Sequence, residues 1–273
     1  MEIIAISRIF FRGSDVSYPI VEDGVALAST NLANRSPLRQ ALSRLAKDRT
    51  AKISGGLICI FIFLALAAPL FEKIIGLSPN AFNADLLDDA RGAMPLGKFG
   101  GISADHWFGV EPRTGRDLFL RFVFGARTSM SIALAAALLA TFIGVLVGLF
   151  SGYFGGKIDQ VLSRLMEIIL AFPSILFALA ITPVLENVLE SFGIPQGNPT
   201  RIPVMIFVIA TFGWPYIARI VRGQVLSIKE KEYVEASRAL GATTSHLVFK
   251  EILPNLWAPI LVTVALNIPS FIT

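Results

Sequence analysis

The sequence predicts an all-α polytopic membrane protein, and three observations carry that fold class. Of its 273 residues, 54% are hydrophobic and only 16% charged, and the mean hydropathy is +0.66, outside the range of ordinary soluble domains. Five segments, at 53–70, 129–150, 162–184, 204–221 and 256–273, approach or reach the roughly 20 apolar residues that a helix needs to cross the hydrocarbon core. Between the last two lies a polar, helix-forming stretch at 232–254, EYVEASRALGATTSHLVFKEILP. A bundle of spans joined by tight turns has no need of such an insert.

The elements follow in order. Residues 1–52 form an N-terminal segment. MEIIAISRIFF at its start is too short for a secretory signal and lacks a small-residue cleavage site. Arg35, Arg39, Arg44, Lys47, Arg49 and Lys52 crowd the approach to the first span, so the positive-inside rule puts this end in the cytoplasm. The first transmembrane helix is expected at 53–71. An external loop with an amphipathic segment follows at 72–128. It carries Arg113, Arg116, Arg121 and Arg127 against the rule, balanced by Asp85, Asp88, Asp89, Asp105, Glu111 and Asp117, and its length is where the rule weakens. Residues 129–273 form the remaining core, interrupted by the polar loop 223–254, and the segment after the fourth span, with Arg222, Lys229, Lys231, Arg238 and Lys250, suits the cytoplasm. Pro173, Pro215, Pro259 and Pro269 fall inside spans. Membrane helices tolerate proline, so a plain kink is favoured over a hinge, though both fit. Five spans are an odd number, and the expectation is that a sixth is missing at the C-terminal side of a truncated or partial product.

The polar loop reads as two short helices. Tyr233, Ala236, Ser237 and Leu240 recur at helical spacing on a small or apolar face. Gly241 supplies the positive φ that ends the first helix. Thr243 or Thr244 can cap the second, which places Leu247, Val248 and Ile252 on one side. An interfacial helix resting on headgroups has the same pattern, and physics alone leaves the two readings open.

The residues themselves narrow the choice. Glu235-Ala236-Ser237, three residues, Gly241, then Leu253-Pro254 resembles the EAA loop of ABC-importer permeases, with Ser237 in place of the second alanine and Glu251 where the general pattern often has isoleucine. The run from Trp214 to Arg219, with Val221-Arg222-Gly223-Gln224-Val225-Leu226, is similar to the fourth-span exit of the dipeptide, oligopeptide and nickel branch. Gly152 to Asp159 with Arg164 and Pro173, Phe108-Gly109-Val110 through Asp117, Gly125 to Ser129, and Ser36-Pro37-Leu38 also resemble that branch in its order. Val110 and Glu111 depart from its usual Gly-Thr-Asp.

The resemblance implies a type I ABC importer permease fold, with 129–273 as the permease core. It implies a permease subunit of an ATP-driven importer in the bacterial plasma (inner) membrane, carrying peptides or a related small solute. The solute stays open among dipeptides, longer peptides, nickel chelates and glycosides. Expected partners are two ATP-binding subunits, a second homologous permease, an external solute-binding protein and the lipid bilayer. The ATPase-coupling residues it implies are Tyr233, Glu235, Ala236, Ser237, Gly241, Ala242, Leu253 and Pro254. No cofactor is expected in this chain; ATP and Mg belong on the partner subunits.

Other classes fit less well. Gly152 to Lys157 lacks the spacing and the trailing Ser or Thr of a phosphate-binding loop. Cys59 stands alone in an apolar run, which excludes an internal disulfide and any Cys/His metal spacing. His106 and His246 read as isolated, without a second ligand. Ser151, Ser163 and Ser174 lack a His/Asp set, so no catalytic residue is assigned. Arg164 and Glu167 fit a structural pair near an interface, and Arg219 and Arg222 either snorkel to headgroups or meet a docked partner. A small net charge of +4, clustered near span ends, argues against nucleic acid. The alternative function is an ion-coupled secondary transporter or channel. That class places acidic groups at mid-membrane, and the second, fourth and fifth spans lack them.

Overall fold

The computed structural model describes residues 46–272. The expectations for Arg35, Ser36, Pro37, Leu38, Arg39, Arg44 and the segment before them lie outside the described residues, as does Thr273. Among the described residues, a boundary between two units falls between Ile60 and Phe61. Helix α1 (Arg49–Ile75) begins in the first and runs into the second. It starts where Asp48 Oδ1 accepts from the Thr50 backbone N–H at 2.8 Å, satisfying an orphan donor of the first turn.

Residues after α1 form an ordered loop. Strands β1 (Leu87–Asp88) and β2 (Met94–Pro95) pair antiparallel, Leu87 opposite Pro95. The loop closes on α2 (Leu118–Phe154), which is 37 residues and therefore about 55 Å long, well beyond the core thickness of about 30 Å. The expected span 129–150 is only its inner part. Asp117 starts it: Oδ1 accepts from Leu120 N at 2.7 Å and Oδ2 meets His106 Nδ1 at 2.9 Å. His106 is thus not isolated, because a buried carboxylate eleven residues on fixes its ring. Phe71, Trp107 and Phe119 pack around this end, with ring centres 4.9 Å apart for Trp107 and Phe119 and 5.2 Å for Phe71 and Phe119.

Gly155 and Gly156, at φ 67° and 54°, turn the chain into α3 (Gly156–Ala171). Here the structure departs from the single span expected at 162–184. α3 stops, Phe172 is extended at φ −75°, ψ 137°, and α4 (Ser174–Ser191) restarts. The physical cause is Pro173, whose ring drives the preceding residue out of the helical region. α5 (Asn198–Ile228) follows with Pro203 and Pro215 inside it, then α6 (Glu232–Ala239) and α7 (Thr244–His246). A wide-turn stretch at Leu247–Ile252 and a tight turn at Leu253–Leu256 lead into α8 (Trp257–Ile272). Among the described residues, five helical segments are long and apolar enough to cross a membrane: Arg49–Ile75, Leu118–Phe154, Ser174–Ser191, Asn198–Ile228 and Thr244–Ile272.

The centre of the bundle is the α2–α5 contact. Gly144, Gly148 and Gly152 form a stripe on α2 against α5. A Cβ at these positions would lie 2.8 Å from Ile217 Cβ, 2.7 Å from Val221 Cβ and 2.8 Å from Val225 Cβ. In lipid, apolar surface alone does not drive helices together, so close backbone approach along a small-residue stripe supplies the dispersion energy instead. Ala140, Trp214, Ile217, Ala218, Val221 and Val225 complete this core.

Candidate functional site

The loop between α5 and α8 is built from its caps inward. Glu232 and Glu235 occupy the first turn of α6 and Arg238 its last, each at the end its charge favours. The helix closes with a Schellman motif: Ala242 N–H donates to Ser237 O at 3.1 Å and Gly241 N–H to Arg238 O at 3.0 Å. Gly241 sits at φ 87° with nothing within 4 Å of a built Cβ, so it is the backbone angle and not space that requires glycine. Thr243 caps α7, its Oγ1 accepting from His246 N at 3.4 Å. The wide turn that follows is closed by Leu253 N–H donating to Val248 O, five residues back where an α-helix reaches four.

Burial shows which way the loop faces. Val234, Leu247 and Ile252 are 0%, 2% and 0% exposed and join Ile228 and Leu256 in the bundle core. Tyr233, Glu235, Ala236, Gly241 and Pro254 are exposed, while Ser237, Ala242 and Leu253 are half-buried. The inward anchor of α6 is therefore Val234, which lies off the expected face. Of that face, Tyr233, Ala236 and Leu240 point outward, Leu240 being 89% exposed. Glu251, the departure from the general loop pattern, stitches the two helices: its Oε1 accepts from Ser237 Oγ at 3.4 Å and lies 3.5 Å from His246 Nε2.

Beside the loop sits an ion pair that no local pattern announces. Arg222 on α5 donates from Nε to Asp159 Oδ1 at 2.5 Å and from its terminal nitrogen to Oδ2 at 2.6 Å. Ser151 also donates to Asp159, as does Ser163 at 3.2 Å. Arg222 thus neither snorkels nor waits for a partner, and two of the three serines that lack a His/Asp set, Ser151 and Ser163, meet one carboxylate. The Arg222 bonds, then the Ser151 bond, hold the Asp159 carboxyl far below the usual carboxylate range. Arg164 and Glu167 pair at 2.9 Å on an exposed face. At the far end of α2, Glu111 accepts from Thr114 Oγ1 at 2.6 Å and from Arg116 Nε at 3.0 Å. The Thr114 bond, with Arg121 and Arg116 nearby, lowers its pKa. No group of three or more metal-ligating side chains occurs among the described residues.

Between α5 and α8 is a cleft of about 310 Å³ lined by Tyr216, Ile220, Thr263, Leu266, Asn267 and Ser270. Thr263, Asn267 and Ser270 recur at helical spacing on one face of α8. Sequence reading by hydropathy passes over that polar stripe because its neighbours are strongly apolar.

Residues 144–273 match the family described as binding-protein-dependent transport system inner membrane component, and 36–83 match the N-terminal TM domain of oligopeptide transport permease C. The oligopeptide transport system permease protein OppC of Bacillus subtilis is 38% identical over 86% of this chain and 68% of its own length. The chain belongs to this family of ABC-importer permeases. OppC of Escherichia coli is 36% identical over 87% of the chain and 70% of that protein, and the glutathione transport system permease protein GsiD of Salmonella typhimurium is 33% identical over the same shares. Among solved structures, one of the MetNI methionine ABC transporter in an inward-facing conformation matches 55% of the chain at 22% identity, with a TM-score of 0.47. As an ABC-importer permease the chain is a multi-pass membrane protein. It works with ATPase subunits and a partner permease, and is itself no enzyme because ATP hydrolysis belongs to the separate subunit.

Proposed function

We propose that this permease forms half of the pore of a peptide importer in a bacterial plasma membrane, with its N-terminus in the cytoplasm. Two permeases, two ATPases carrying ATP and Mg, and an external solute-binding protein make up the working unit. The loop 223–254 is the coupling element. Tyr233, Glu235, Ala236, Ser237, Gly241, Ala242, Leu253 and Pro254 are its ATPase-coupling residues, Gly241 and the half-buried Ser237, Ala242 and Leu253 holding the bend and the others in contact.

One observation carries the reading: the helix pair is exposed along Tyr233, Ala236 and Leu240 while Val234, Leu247 and Ile252 bury it into the same core as α5 and α8. A load applied to the exposed side reaches two spans through packed side chains, and close packing transmits it with little compliance. The relatives named for oligopeptides and glutathione support a peptide solute.

Purification of the tagged chain from a host expressing its partners tests this. The ATPase subunit is expected to come with the wild-type chain and to be lost from Gly241→Val, because a β-branched residue resists positive φ. Gly241→Asn should retain it, since asparagine visits that region readily. Equal recovery with the valine variant at full expression would refute the coupling assignment.

A further inference from the structure

The loop end of the bundle holds more than α5 and α8. Three helix ends meet there. Ser151 lies in the last turn of α2, Asp159 in the first turn of α3, and Arg222 near the end of α5. Asp159 gathers all three through the bidentate Arg222 fork and the two serine hydroxyls. Lys229, the residue that closes α5, reaches back so that its Nζ donates to Gly152 O at 2.9 Å. Gly152 is also the last member of the glycine stripe, its built Cβ only 3.0 Å from Arg222 O. Charge-assisted, bidentate bonds of this kind are about twice as strong as neutral ones and fix orientation as well as distance. Placed at the start of a helix, the carboxylate gains further from the helix dipole.

The geometry beyond this tie is asymmetric. α3 ends at the Phe172–Pro173 break, and α4, which has no buried residue, meets α5 on its own account, Phe177 against Phe212 at 5.2 Å and Glu186 3.6 Å from Arg201. α3 is therefore fastened to α2 and α5 at one end and jointed at the other.

We infer that Asp159 is a positioning residue for transport: its grip on Arg222, with Lys229 on Gly152, fastens α3 to the closely packed α2 and α5, so that the three move as one block with the coupling loop. This rests on the loop being the contact for the ATPase. Uptake then depends on the block travelling whole. A permease with the tie cut still receives the stroke and passes it to α2, α5 and α8 through their packing, but α3 no longer follows whole, so ATP is spent without full opening.

The test uses the complete transporter in proteoliposomes, with its partner permease, ATPase subunits and solute-binding protein, and reads peptide taken up per ATP hydrolysed. Asp159→Asn is expected to keep its ATPase subunits and hydrolyse ATP while uptake per ATP falls about tenfold, within the span usual for coupling between linked sites. Exchanging the pair, Asp159→Arg with Arg222→Asp, restores the attraction and should recover part of the ratio, which a general loss of fold does not predict. Lys229→Met removes only the bond to Gly152 and is expected to lower the ratio more mildly. It keeps the test decisive where Asp159→Asn accumulates poorly. A wild-type ratio in Asp159→Asn or Lys229→Met, or an exchange variant no better than Asp159→Asn, overturns the inference. Absence of the ATPase subunits from the intact wild-type complex overturns the coupling reading beneath it instead.

Discussion

At the scale of single residues, the site rests on a few polar atoms whose partners are remote in sequence. Asp159 and Arg222 are 63 positions apart, and neither has a neighbour that announces the other, so an interfacial arginine reads as one more snorkelling side chain. Gly241 is the opposite case: its position after a short amphipathic run predicts the αL turn it adopts. The depressed pKa of Asp159 has a consequence for pH. A carboxyl whose folded pKa lies below its unfolded value adds stability that is fully present above the unfolded value, near about 3.9, and lost only as pH falls through the lower folded one. The thermal midpoint of Asp159→Asn in detergent should therefore lie below that of wild type by a constant margin between about pH 5 and 8. A margin that closes over this interval would show that the carboxylate is not held as the Arg222 bonds require.

At the scale of elements, hydropathy finds the helices, and chemistry it does not weigh sets their ends. α2 runs eleven residues further toward its start than the apolar segment because Asp117, held by His106, caps it there. The third span breaks at Pro173 because membrane tolerance of proline does not relieve the residue before it. α6 is the least legible: eight residues give two overlapping faces, and the single valine that turns inward decides between them. The cleft between α5 and α8 yields a prediction at this scale. Tyr216 lies near the middle of α5 and Asn267 within the apolar α8, where a polar group facing hydrocarbon is unfavourable. In a cysteine-free background, cysteine at Asn267 should react with a water-soluble maleimide in the assembled transporter, and cysteine at Leu261, 62% exposed on α8, should not. Equal labelling would mean that the polar stripe does not face water.

For the whole molecule, family and architecture are legible early because hydropathy, the loop motif and the family's order of segments all agree. The tertiary ties are not, because they join residues that only the folded bundle brings together. The glycine stripe lies between these cases. Its four-residue spacing is plain in the sequence, yet only the fold shows that all three members face one helix.

That stripe also limits how this gene can drift. Every single-base change away from a glycine codon that alters the residue adds at least a Cβ or stops the chain. At Gly144, Gly148 and Gly152 a Cβ has no room, with α5 atoms within 2.8, 2.7 and 2.8 Å. At Gly125 and Gly223, on the same two helices, nothing lies within 4 Å. A saturation library selected for peptide uptake should thus return alanine freely at the second pair and almost never at the first three. The α2–α5 contact is then a part of the protein that neutral variation does not reach, and any change there has to be answered by α5 in the same step.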